Sequence, residues 1–202
     1  MKSPLTGDDR RRIQEGIRKK YAKVALSPEG YFRYPTGKAA LEKLKYDSQL
    51  INDLPLEVIS SYCGVGNPFQ LGPIYTGEWV LDVGCGGGVD ALVAAMMVSS
   101  TGKVIGIDVV YEMLTRAREN LRRTSLNNVV FQESSAEALP FSDESFDVVI
   151  SNGAFNLIPD KNKAMKEVWR VLKSSGRLMI ADEILIGLLP EEKEARIEKW
   201  AQ

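Results

Sequence analysis

Val80-Leu81-Asp82-Val83-Gly84-Cys85-Gly86-Gly87-Gly88-Val89-Asp90 runs from a short apolar strand through alternate glycines into a helical pattern. Glycine lets the backbone turn sharply and approach a ligand with no Cβ in the way. The helix that follows points unpaired N–H groups at that ligand, an arrangement suited to an anionic group such as a carboxylate. A dinucleotide fingerprint, Gly-x-Gly-x-x-Gly, would put its third glycine where Val89 stands. Gly84, Gly86 and Gly88 instead alternate behind an acidic Asp82, which disfavours a nucleotide-dependent oxidoreductase.

Working outward, the spacing predicts strands over residues 79–83, 104–108, 129–132, 146–151 and 177–181. Between them it predicts helices over 89–99, 112–123 and 162–172, with a last helix over 191–200. Met113, Ala117 and Leu121 share one face of the second helix, and Ala164, Met165, Val168, Val171 and Leu172 the buried side of the third. Apolar strands alternating with amphipathic helices imply βαβ units, right-handed crossovers and an α/β fold with a doubly wound, mostly parallel sheet. Asp108 ends the second strand, where an acidic side chain can accept both hydroxyls of an adenosine ribose.

Upstream of residue 73 the character differs. A helix over 6–24, with Thr6 or Asp8 as its N-cap, carries a basic surface (Arg10, Arg11, Arg12, Arg18, Lys19, Lys20) that reads as a solvated face. An aromatic loop over 27–37 follows, then short helices over 38–46 and 55–62 and an irregular connector over 63–73. These patterns divide the chain into a helical N-terminal extension over 1–72 and a core over 73–202. Tyr21 and the Tyr31-Phe32-Arg33-Tyr34 loop are placed to act as a lid, although Tyr21 also suits plain packing.

Composition narrows the chemistry. Lys+Arg (26) and Asp+Glu (27) nearly cancel, so no global field draws the chain to nucleic acid or to an anionic membrane. The 202 residues contain no histidine, which removes the usual general base near neutral pH and the commonest zinc ligand. No metal site is expected, and the chemistry must rest on carboxylates, Tyr, Lys, Cys or a reactive cofactor. Cys63 and Cys85 are not a disulfide framework, and the apolar runs near 91–98 and 184–189 fall short of the ~20 residues that span a bilayer. With no signal-peptide pattern at the start, a cytoplasmic location is expected.

The Asp-x-Gly-x-Gly-x-Gly spacing and strand-terminal Asp108 resemble the class I S-adenosylmethionine-dependent methyltransferases. Gly106-Ile107-Asp108, residues 136–141, Phe146-Asp147-Val148-Val149 and Glu167–Lys173 match further stretches of that family in order, over about residues 78–183. The resemblance implies S-adenosylmethionine as cofactor. Asp82, Gly84, Gly86 and Gly88 would hold its methionine portion and Asp108 its ribose, with Val109 and Met113 flanking the adenine. Ala136 would offer a backbone N–H to the ring, and Ser135 stands where the family often has Asp to accept the adenine amino group. Asn152 would line the methionine end beside the transferable methyl. Val109, Met113 and Ala136 also suit a plain core or turn. No catalytic residue can be named, because a sulfonium methyl is already activated and needs chiefly alignment and exclusion of water.

Residues 61–68 and 151–161 resemble the arsenite methyltransferase branch more narrowly. That branch captures trivalent arsenic with cysteine thiolates, soft ligands for a soft centre. One such cysteine precedes Gly-Asn-Pro, where this chain has Val65 and, next, Gly66-Asn67-Pro68. Another follows Ser-Asn, where Gly153 stands, and a third belongs to a C-terminal region absent from this sequence. The expected activity is therefore methyl transfer to another small molecule, with arsenite methylation and a non-catalytic S-adenosylmethionine-binding module as alternatives. The strand count predicts a sheet truncated after strand five, whose open edge would invite pairing with a second copy.

Overall fold

The computed structural model describes residues 5–184, 186, 192–198 and 200. Strands β1 (Trp79–Val83), β2 (Lys103–Asp108), β3 (Val129–Glu133), β4 (Phe146–Asn152) and β5 (Leu172–Ala181) form one sheet in the order β3-β2-β1-β4-β5. Every neighbouring pair is parallel. The chain winds outward from β1 to β3 and then returns to the far side of β1. The β1/β4 junction is thus the switch point at which such sheets bind ligands beyond the carboxyl ends of their strands.

Both faces of the sheet are covered, which is why the central strands are apolar without alternation. On one face α5 (Val89–Val98) and α6 (Tyr111–Arg122) pack over Val80, Val104, Val148 and Ile150. Helices α2 (Gly37–Lys43), α3 (Ser48–Asn52) and α4 (Leu56–Ile59) join that cluster through Leu41, Ile51 and Val58. On the other face α7 (Lys161–Val171) buries Ala164, Val168 and Val171 against Leu81, Ile107 and Val149. At the N-terminus α1 (Gly7–Val24) packs Ile13 and Ile17 with Ile197 of α8 (Lys193–Glu198). Thr6 starts α1 with a capping box: Asp9 N donates to Thr6 Oγ1 (3.2 Å) and Thr6 N to Asp9 Oδ2 (2.7 Å).

The structure departs from the periodicity in several places. The helix expected over 38–46 stops at Lys43, because Lys45 takes a left-handed φ of 57°. Asp47 then caps the unexpected α3 by accepting from Gln49 N (2.8 Å), and the helix expected over 55–62 is the single turn α4. Met165 is 40% exposed, not buried, since it stands a rotation away from the Ala164–Val168–Val171 row. Leu172 is buried, but as the first residue of β5. There it pairs with Phe146, after which the register shifts so that Val148 faces Arg177 and residues 173–176 bulge out. Of the last expected helix, residues 191 and 199 lie outside the described residues, as does most of the apolar run 184–189. Among the described residues no helix is long and apolar enough to cross a membrane.

Candidate functional site

A pocket opens beyond the carboxyl ends of β1, β2 and β4. About 910 Å³ of space, open mouth included, lies between its walls. The glycine turn forms its floor. Gly84 N and Cys85 N both donate to Ile107 O (2.9 Å each), which seats the turn against the end of β2. Gly86 has a φ of 51°, and a Cβ built there would meet nothing within 4 Å, so this glycine faces open space at the pocket wall.

Asp108 stands beside the turn. Its Oδ2 accepts from Gly86 N and its Oδ1 from Val110 N (2.9 Å each), leaving lone pairs on both oxygens for a ligand. Burial raises its carboxyl above the usual range, against the opposing pull of the Val110, Gly86 and Val109 N–H groups. Asp82 lies deeper. Burial first, then the charges of Asp90 and Asp108, push it well above the usual carboxylate range, and its Oδ2 has no hydrogen-bond partner. Asp90, in the first turn of α5, is pushed up by burial to about 6 while Tyr46 and Asn152 hold it down by hydrogen bonds. No lysine or arginine lines the pocket among the described residues.

The pocket brings together Gly84, Gly86, Asp108, Val109, Met113, Ser135, Ala136 and Asn152 from the sequence-based set. Asp82 and Gly88 are not on its lining: Asp82 is buried, and Gly88 caps α5 with its open side against Phe131 and Ala117. The Ser135 hydroxyl accepts from Glu137 N (3.2 Å). Asn152 reaches the lining, but its side-chain amide is bonded to Val65 and Gly66 of the connector and to Asp90. Sequence reasoning missed Gln14, Ile17, Glu137, Leu157, Ile158 and Pro159 on the walls, and Tyr46, Tyr62 and Asp90 behind them. Asp90 was signalled by its place directly after the glycine loop, and Tyr62, Glu137 and residues 157–159 by lying inside the stretches that carry the resemblance; Gln14, Ile17 and Tyr46 belong to segments without a motif.

Cys63 also lines the pocket, its thiol pushed up to about 12 by burial and then by the Asp108 and Asp90 charges. Val65 packs across from Gly153, where a Cβ would come within 3.3 Å of Val65 Cγ1. The two positions at which arsenic-binding cysteines were expected are therefore neighbours, and neither carries sulfur.

Residues 75–202 match the family described as a methyltransferase domain. The chain belongs to that family. An arsenite methyltransferase of Halobacterium salinarum is 33% identical over 198 residues, 91% of this chain and 50% of its own length. A ubiquinone/menaquinone biosynthesis C-methyltransferase of Escherichia coli is 37% identical over 107 residues, 52% of this chain and 43% of the enzyme. Among solved structures, an arsenic(III) S-adenosylmethionine methyltransferase from Chlamydomonas reinhardtii superposes with a TM-score of 0.56 at 32% identity, covering 74% of this chain and 50% of that one. An S-adenosylmethionine-dependent methyltransferase from Aquifex aeolicus gives 0.54 at 30% identity, covering 73% and 80%. This methyltransferase-domain chain thus spans about half the length of the curated relatives it matches.

Proposed function

We propose that the protein binds S-adenosylmethionine in this pocket and transfers its methyl group to a small-molecule acceptor. The observation that carries the reading is the pairing of Gly86, open to the pocket, with Asp108, whose two carboxylate oxygens keep free lone pairs. Asp108 would hold the ribose hydroxyls, Val109, Met113 and Ala136 the adenine, and Gly84 and Gly86 the methionine portion. Asp82, from beneath, would support that end of the pocket. S-adenosylmethionine would supply a methyl on a positively charged sulfur, already activated toward a nucleophile. A pocket with buried carboxylates and, among the described residues, no lining cation favours such a charge over an anionic ligand.

The chain's own part is to align the acceptor and exclude water. Ile17, Tyr21, Leu157 and Ile158 supply the apolar cover, and we read residues 1–72 as a lid over a core of 73–202. Arsenite is disfavoured as acceptor by Val65 and Gly153 and by a Cys63 thiol held protonated at neutral pH. The proposed partners are small molecules, with no nucleic acid and no membrane, in the cytoplasm. A second copy could pair along β5, which among the described residues neighbours only β4 in the sheet; sedimentation of a monomer at high concentration would remove that proposal.

The test is methyl transfer from S-adenosylmethionine labelled in its methyl group, screened against phenols, quinols, thiols and arsenite. Transfer to an organic acceptor supports the reading. Transfer to arsenite alone would reinstate the other branch, and tight cofactor binding with no transfer would leave a non-catalytic binding module.

A further inference from the structure

Behind the glycine loop, four polar side chains from separate parts of the chain meet. Asn152, at the end of β4, accepts through Oδ1 from Val65 N (2.9 Å) and Gly66 N (3.0 Å). Its Nδ2 lies within reach of Gly66 O (2.8 Å), Asp90 Oδ2 (2.9 Å), Tyr62 OH (3.0 Å) and Tyr46 OH (3.2 Å). Tyr46 OH donates to Asp90 Oδ1 (2.7 Å), and Tyr62 OH donates to Gly66 O (2.8 Å). Asp90 belongs to the first turn of α5, directly after the glycine loop, whereas Tyr46, Tyr62, Val65 and Gly66 precede the core.

The connector has little freedom here. A Cβ on Gly64 would run into the Asn152 amide and the Tyr62 hydroxyl, and one on Gly66 would stand 2.6 Å from Ala181 Cβ. Cys63 on one side of this contact and Asn152 and Gly153 on the other line the pocket. Only a neutral group that donates and accepts at once can join two backbone N–H donors to a carboxylate, and a primary amide does so.

We propose that Asn152 is a positioning residue, which together with Asp90 and Tyr46 fixes residues 63–66 as a wall of the pocket and ties that wall to the helix after the glycine loop. Cofactor affinity then depends on an amide whose bonds are made to protein. The inference rests on the cofactor reading above and adds to it the way the pocket is held.

The test substitutes Asn152→Asp. The new carboxylate keeps the acceptor for Val65 and Gly66 but removes the donor to Asp90 and sets a like charge beside it. While both are ionised the contact opens, whereas in acid one proton shared by the pair restores a donor and an acceptor. The titratable groups nearby are Tyr46, Tyr62, Asp82, Asp108, Cys63 and Lys20; every variant at 152 loses the amide bond that lowers Tyr62 and Asp90, so comparing N152D with N152A isolates the added carboxylate.

Calorimetric titration with S-adenosylhomocysteine should find N152D roughly tenfold or more weaker than wild type near pH 8, with the ratio narrowing near pH 5.5. N152A, which loses the same bond without adding a charge, should be weaker at both pH values. Equal affinities at pH 8, or a ratio for N152D that does not change with pH, would overturn the proposal. Should N152D fail to melt cooperatively, Tyr46→Phe, which deletes one hydroxyl, should still weaken binding, and wild-type affinity there would overturn it. Absence of binding by the wild type would instead fail the cofactor reading. The proposal is then decided by exchange of the Val65 and Gly66 amide protons, slow in wild type and fast in N152A if it is right, equal in both if it is wrong.

Discussion

Two glycines of the same turn should respond to alanine in opposite ways. At Gly88 a Cβ would lie 2.7 Å from Phe131 Cζ and 3.1 Å from Ala117 Cβ, at a φ of 83°. The left-handed conformation costs an alanine about 1–2 kcal/mol, and the overpacking costs about 1–3 kcal/mol. Gly88→Ala should thus lose roughly 2–5 kcal/mol of the ~5–15 kcal/mol that holds a typical domain together. With an m-value of about 2 kcal/mol/M, its urea midpoint should fall by about 1–2.5 M. At Gly86 the added Cβ meets no protein atom within 4 Å, so only the conformational cost of about 1–2 kcal/mol applies. That methyl projects into the proposed cofactor space, so Gly86→Ala should weaken S-adenosylhomocysteine binding by about tenfold or more, in line with ~1–3 kcal/mol for overpacking a filled site. Urea titration followed by tryptophan fluorescence, paired with calorimetry under native conditions, separates the two effects. A Gly88→Ala chain that unfolds at the wild-type midpoint would refute the packing argument. A Gly86→Ala chain that binds as wild type would show that the ligand does not approach this backbone.

Other consequences concern the buried polar groups. Asp90 is raised from 3.8 to about 6 in the folded chain, so the stability it contributes is full below 3.8 and is lost as the pH rises through 6. Asp82 and Asp108 act in the same direction, whereas the lowered Asp147, Asp160 and Glu167 contribute stability above their ordinary values that is lost in acid. Urea midpoints between about pH 4 and 6 should therefore fall less steeply with rising pH in Asp90→Asn than in wild type, and parallel profiles would contradict the assignment. Asn120, fully buried on α6, donates to Gly87 O and Ser61 Oγ (2.8 Å each), so Asn120→Ala should cost about 2–4 kcal/mol in urea unfolding. Cys63, pushed up to about 12, should react with iodoacetamide at neutral pH at least about tenfold more slowly in the native chain than in urea; equal rates would show an accessible thiolate.

The fold was legible wherever one local rule decides an element. The alternate glycines and Asp108 set the turn and its acid, and β1 was delimited by its apolar run. Where two influences compete, the sequence misled. Periodicity cannot see Lys45 leaving the helical region, nor the bulge that gives β5 two registers against β4. Asn152 shows the limit most clearly. Its place at the end of β4 signals the pocket, but its partners Val65, Gly66 and Asp90 come from distant segments that only folding brings together. For the same reason Tyr46 and Tyr62, two aromatic residues in the irregular segments after α2 and α4, gave no sign of the carboxylate they surround.

The most direct test of the central claim is calorimetric titration of the wild-type chain and of Asp108→Ala with S-adenosylmethionine. The account predicts one site per chain in wild type. The variant should bind roughly a hundredfold or more weakly, as expected from losing two charge-assisted hydrogen bonds of about 1.5–3 kcal/mol each, and should still unfold cooperatively. A folded variant with wild-type affinity, or a folded wild-type chain that binds no cofactor, would contradict it.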